Sequence, residues 1–78
     1  MVKKDLVQKI LALFTSPGVS YLEEGLPSLV GGSLSEVQQA VDEIVQTQPL
    51  QSQGLRFRFT TAGLNFYQLI LEAAEPSG

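Results

Sequence analysis

Breakers at Ser16-Pro17-Gly18, Gly31-Gly32 and Pro49 cut this chain into short pieces, and each piece must find its structure between them. Lys4 to Phe14 carries Leu6, Val7, Ile10, Leu11, Leu13 and Phe14 at helical spacing, with Asp5, Gln8, Lys9 and Ala12 opposite. That pattern predicts an amphipathic first helix ending at Ser16-Pro17-Gly18. Ser33 begins a second clear pattern, with Glu36 completing a Ser-x-x-Glu capping box and Ser35 as the rival cap. Leu34, Val37, Ala40, Val41, Ile44 and Val45 form its apolar arc, and Pro49 closes it.

Between these helices, Val19 to Val30 leaves two outcomes open. Ser20-Tyr21-Leu22-Glu23 fits a capping box, but Pro27 sits too far inside for a regular helix begun at Tyr21. The segment is therefore either a kinked helix from Tyr21 to Val30, or an extended piece at Val19–Leu22 followed by a short helix near Leu26–Val30. In both, Leu22, Leu26, Leu29 and Val30 face the core. Tyr21 is expected to bury its ring and leave its hydroxyl wet.

After Pro49 the period changes. Leu55, Phe57 and Phe59 alternate with Arg56, Arg58 and Thr60, which predicts a half-buried strand. Gln53-Gly54 reads as a hairpin turn, with Leu50–Ser52 as the partner strand. From Ala62 to Glu75 the pattern reads as helical again. Leu64, Phe66, Tyr67, Leu69, Ile70, Leu71, Ala73 and Ala74 sweep roughly 220° of its circumference at about 100° per residue. Pro76-Ser77-Gly78 is expected to fray. The expected core is Leu6, Ile10, Phe14, Leu22, Leu26, Leu29, Val37, Val41, Ile44, Leu55, Phe57, Phe59 and part of that last helix.

The chain has 78 residues, with 44% hydrophobic side chains and a mean hydropathy of +0.13. That supports one folded domain spanning residues 1–78, with no room for a second. With no His and no Cys, it holds no nucleophile–imidazole pair, no thiolate and no ordinary zinc or copper site, so an enzyme, a cofactor and a small-molecule ligand are not expected. Asp5, Gln8 and Lys9 interrupt what would be the apolar region of a signal peptide behind Lys3 and Lys4. No run approaches a membrane span, so the expected location is cytoplasmic.

The order of helix, short helix, glycine turn, amphipathic helix, hairpin and helix resembles the winged helix-turn-helix superfamily. One stretch carrying the likeness runs from Leu26-Pro27-Ser28-Leu29-Val30-Gly31-Gly32-Ser33-Leu34-Ser35-Glu36-Val37 to Val41 and Ile44. It looks like a helix-turn-helix with a glycine turn and a serine-capped second helix. Phe57-Arg58-Phe59-Thr60-Thr61-Ala62-Gly63-Leu64 is similar to the passage where a wing strand enters the last helix of many such regulators. The resemblance implies an α+β fold: a small winged helix with a three-helix core, a short β-hairpin wing and a C-terminal helix. It also implies that Ser35–Thr47 would be the recognition helix.

Two functional classes follow. In a DNA-binding transcriptional regulator, Gln38 and Gln39 would read adenine, and Arg56 and Arg58, on one strand face, would grip phosphates. Glu36, Asp42 and Glu43 oppose this, since a close charge pair is worth about 4 kcal/mol at an effective dielectric of 20. The balance of 5 basic against 8 acidic residues points the same way. Lys3, Lys4 and Lys9 add a positive patch on the first helix. In the other class the domain is an interaction module working through protein contacts. On a last helix with so wide an apolar arc, Leu64, Tyr67, Leu71 and Ala74 make a row facing the domain's own core and Phe66, Leu69, Ile70 and Ala73 an outward one, or the reverse. A homodimer or another protein would cover the outward row. The acidic recognition helix favours this second class. Glu23-Glu24 and Asp42-Glu43 do not converge as acid/base pairs, because adjacent helical residues point about 100° apart. Gly31-Gly32-Ser33 lacks the ending of a phosphate-binding loop and reads as a turn and cap. Phe57, Phe59 and Tyr67 suggest base stacking, but alternating Phe on the face opposite the arginines is better explained as core.

Overall fold

The computed structural model describes residues 4–74; the expected fraying of Pro76-Ser77-Gly78, like Lys3 of the positive patch, lies outside them. Helix α1 covers Lys4–Leu13 and buries Leu6 and Ile10, with Phe14 buried just beyond its end. Gly18, at φ +98°, makes the turn that only glycine adopts without strain. Its N–H donates to the Leu71 carbonyl at 2.7 Å, and Leu71 N–H donates to Val19 O at 3.0 Å. The turn thus delivers the chain directly onto the far end of the sequence.

Strand β1 is Ser20–Leu22, and a tight helical turn at Glu23–Gly25 leads into helix α2, Leu26–Val30. Of the two outcomes open for this segment, the extended piece plus short helix is the one formed. Pro27 then falls in the first turn of α2, where its missing N–H costs nothing. Ser20 lies in the strand and caps no helix. Two expected core residues are corrected here. Leu22 is exposed opposite Gln68, and Leu29 is 56% exposed because so short a helix buries only Leu26 and Val30, one turn apart.

Helix α3 spans Leu34–Thr47 and buries Val37, Ala40, Val41 and Ile44. Both halves of its capping box form: Glu36 N–H donates to Ser33 Oγ at 3.2 Å, and Ser33 N–H donates to Glu36 Oε1 at 3.0 Å. The helix stops at Gln48, which enters the left-handed region at φ 48° ahead of Pro49.

The remainder departs most from expectation. Leu50–Ser52 is not a strand; Gln51–Gln53 is a tight helical turn closed by Gly54 at φ 77°. Strand β2, Leu55–Gly63, pairs instead with strand β3, Phe66–Ala73, across a turn at Leu64-Asn65 where Asn65 takes φ 66°. The expected C-terminal helix over Ala62–Glu75 is thus absent through Ala74, and Glu75 lies outside the described residues. Gly63 and Asn65 supply the turn chemistry, and Phe66, Tyr67 and Ile70 have the shapes that suit a pleated sheet. The sheet is antiparallel in the order β1-β3-β2, so β3 is its central strand.

Alternation sorts the sheet's two faces. Tyr21, Leu69 and Phe59 are cross-strand partners on the inner face, as are Phe57 and Leu71. The core forms where this face meets the helices. The Phe14 ring stands edge-on to Phe57 at 5.2 Å and to Tyr21 at 5.2 Å. Tyr21 does pack its ring inward, but its hydroxyl donates to the Leu13 carbonyl at 3.4 Å rather than to water alone. Leu6, Ile10, Phe14, Leu26, Val30, Val37, Val41, Ile44 and Phe57 are buried as expected, joined by Ala40, Leu69 and Leu71. Leu55 is half-buried. Phe59 is not core: it is 36% exposed, which corrects its reading as such.

Candidate interaction surface

Two faces of the β2–β3 hairpin differ sharply in chemistry. The outer face carries Arg56 and Arg58, placed together as the alternation predicts. Glu72, opposite Arg56 in the register, holds both: Arg56 Nη2 donates to Glu72 Oε2 at 2.6 Å, and Arg58 Nε donates to Oε1 at 2.7 Å. One carboxylate therefore offsets one of the two positive charges expected to grip phosphate and occupies donors of both guanidinium groups. The hydrogen bond from Arg56, then that from Arg58, holds the Glu72 carboxyl below its ordinary value, against the opposing effect of desolvation. A carboxyl whose pKa falls on folding stabilises the fold above its unfolded pKa, and that contribution vanishes as pH falls through the lowered value. Glu72→Gln is accordingly expected to lower the melting temperature at neutral pH, with the gap to the parent closing as pH falls through and below the ordinary carboxylate range. A constant gap across a series of thermal melts would contradict the pairing.

The inner face near the hairpin's tip is apolar and open. Phe59 stacks on Tyr67 with centroids 5.4 Å apart and planes 13° from parallel, and Tyr67 is 47% exposed. Phe66, the preceding residue at the edge of the hairpin's tip, is 43% exposed. Facing these rings across a groove are α3 and the Glu23–Gly25 turn. Two cavities follow the groove. One, about 210 Å³, is lined by Glu23, Gln38, Val41, Asp42, Val45 and Phe59. The other, about 160 Å³, is lined by Glu23, Glu24, Leu34, Gln38, Asn65, Phe66 and Tyr67. Gln38 and Glu23 border both, and Gln38 Nε2 donates to Glu23 Oε1 at 3.4 Å. Asp42 accepts from Gln46 Nε2 at 3.0 Å.

The candidate DNA contacts are divided by this arrangement. Gln38 lies in the groove and Gln39 is exposed on α3, whereas Arg56 and Arg58 sit on the opposite face of the hairpin. The residues expected as one apolar row are scattered too. Phe66 is exposed at the groove, Leu69 is fully buried, Ile70 is half-buried on the outer face between Ser20 and Arg58, and Ala73 is exposed opposite Leu55. The row existed only on a helix. With β3 in its place, a dimer built on that helix has no structural basis.

Tyr67, Glu72 and Glu23 gain roles that sequence reasoning did not give them. Register across a hairpin brings Glu72 to the arginines, a pairing that only a strand over Phe66–Ala73 makes. A third cavity, about 260 Å³, lies among Asp5, Leu6, Lys9, Val30, Gly31, Gly32 and Glu36. Glu36 already occupies the α3 N-terminus there, and a Cβ on Gly32 would come within 3.3 Å of its carboxylate, so the glycine turn serves the cap. Among the described residues no group of acidic side chains is arranged to hold a metal, and no helix is long and apolar enough to cross a membrane. No family model matches the chain, and neither curated proteins nor solved structures give a match.

Proposed function

We propose that this domain is a small winged helix that acts as an interaction module through protein contacts, with no catalytic role. The element order supports the fold reading. Helices α2 and α3 meet through the Gly31-Gly32 turn, the β2–β3 hairpin stands beside α3 as a wing, and β1 adds a third strand. The observation that carries the functional reading is the chemistry of the surface that a DNA-binding winged helix would present. There α3 offers Glu36, Asp42 and Glu43, and Glu72 engages both wing arginines. Affinity for duplex DNA rests on neutralising phosphates, and these groups repel them or are already paired.

Titration of labelled duplexes, including random-sequence pools, at about 50 and 200 mM salt tests the reading, since a phosphate-driven complex weakens steeply over that range. The expected result is no binding at micromolar protein. Sub-micromolar, salt-sensitive binding would make the domain a DNA-binding regulator. Loss of that binding in Arg56→Ala with Arg58→Ala would then assign the wing to the phosphates.

A further inference from the structure

We propose that the groove between α3 and the inner face of the wing receives a cationic, amphipathic segment of a partner protein, with apolar side chains between Lys or Arg residues. This rests on the protein-contact reading above and names the partner's chemistry. Three properties of the groove converge on it.

The first is size. Small-molecule sites generally occupy about 300–1,000 Å³, and cavities of about 210 and 160 Å³ fall below that range. They suit single anchoring side chains, the form in which protein interfaces concentrate their affinity. The second is the apolar floor. Phe59 and Tyr67 stack on each other with their rings partly in water, and half-buried Val45 continues the surface along α3 above buried Val41. Side chains so placed lose water contact only when something covers them. The third is charge. Glu23 and Asp42 rim one cavity and Glu23 and Glu24 the other, while among the described residues no Lys or Arg lines either. A segment of leucine and phenylalanine alone would leave these carboxylates facing apolar surface, which is costly. Lysine or arginine suits both components. Its stem covers apolar surface, its head reaches the rim, and a guanidinium or ammonium is also attracted to the faces of Phe59 and Tyr67. An acidic partner or nucleic acid is repelled by the same rim.

The test uses the full chain, labelled with 15N, and a short blocked peptide alternating lysine with leucine and phenylalanine. A matched peptide carries glutamate in place of lysine. The lysine peptide is expected to shift the amides of Gln38, Asp42, Phe59 and Tyr67, leaving Arg56 and Glu72 unmoved, and to bind more weakly as salt rises. Glu23→Gln with Asp42→Asn, both outside the core, is expected to weaken binding about fivefold. Tyr67→Ala is expected to weaken it about tenfold. No shift at about 1 mM peptide, a weak affinity by any standard, overturns the proposal, as does equal binding of the glutamate peptide. Sedimentation of the chain alone supplies a further arm, since a dimer whose formation protects Phe59 and Tyr67 would make a second copy the occupant and overturn it too. These failures leave the protein-contact reading standing. Salt-sensitive duplex binding through α3 removes that reading instead, so the two are distinguishable.

Discussion

Leu71→Ala is expected to destabilise the domain by about 2–5 kcal/mol, and Leu69→Ala by a similar amount, because each empties a fully buried inner-face position. Phe66→Ala is expected to cost less than about 1 kcal/mol, since that ring is already 43% exposed. A chain of this size has roughly 4–12 kcal/mol in all, so either leucine variant would remove a large share of it. Urea denaturation followed by circular dichroism gives all three numbers. The pattern also separates β3 from a helix over the same residues. A helix puts Phe66, Leu69 and Ile70 on one side and Leu71 on another, whereas a strand groups Leu69 with Leu71 and leaves Phe66 at the rim. Equal losses at Phe66 and Leu69 would contradict the strand.

Gln48→Ala is expected to cost about 2–3 kcal/mol, more than any ordinary surface change. The Gln48 amide spans the rim of the sheet. Its Oε1 accepts from Phe57 N–H at 2.8 Å, and its Nε2 donates to the Phe57 carbonyl at 2.9 Å and to Val45 O at 2.9 Å. It thereby does for β2 what a neighbouring strand would do, on the side of β2 facing away from β3. Removing it strands three part-buried backbone groups and leaves alanine at φ 48°. Gln48→Gly loses the same bonds but relieves the left-handed backbone, so it should recover about 1 kcal/mol relative to alanine. Hydrogen exchange at the Phe57 amide should quicken in both variants. An alanine variant within 0.5 kcal/mol of the parent would show that the bridge contributes nothing.

Legibility in the sequence followed how local each signal was. Helices α1 and α3, the Ser33–Glu36 cap and the start of β2 were readable because a few neighbouring residues set each of them. The third strand was not. Ile70 is apolar on the outer face, so Leu69-Ile70-Leu71 shows no alternation, and apolar Leu64 stands exposed in the turn between Gly63 and Asn65. Those two residues mimic a helical arc and hide the hairpin. Once that element was misread, the site was misread with it. The four residues grouped as an interface came apart, and Glu72 was never set against the arginines. The exposure of Gln38 is legible because exposure on an amphipathic helix is a local property, yet its place in a groove depends on the wing behind it. Tyr67 could have been recovered from the Phe66-Tyr67 pair following Asn65, a turn residue ahead of sheet-forming aromatics.

The central place of β3 has a consequence for how the chain is made. Neither β1 nor β2 pairs with the other; each pairs with β3, which comes last. A ribosome releases the polypeptide from its N-terminus, so α1, α2 and α3 emerge and can gather around Ile10, Leu26 and Ile44 while the sheet has no middle. Until Ala73 clears the exit tunnel, both outer strands carry backbone groups with only water to bond. Sheet formation must then be a late and concerted event, in which β3 zips onto β2 through the short turn and captures the distant β1. An internal stop shortly before Phe66 would yield no smaller version of this domain, only helices lacking the surface that holds them together.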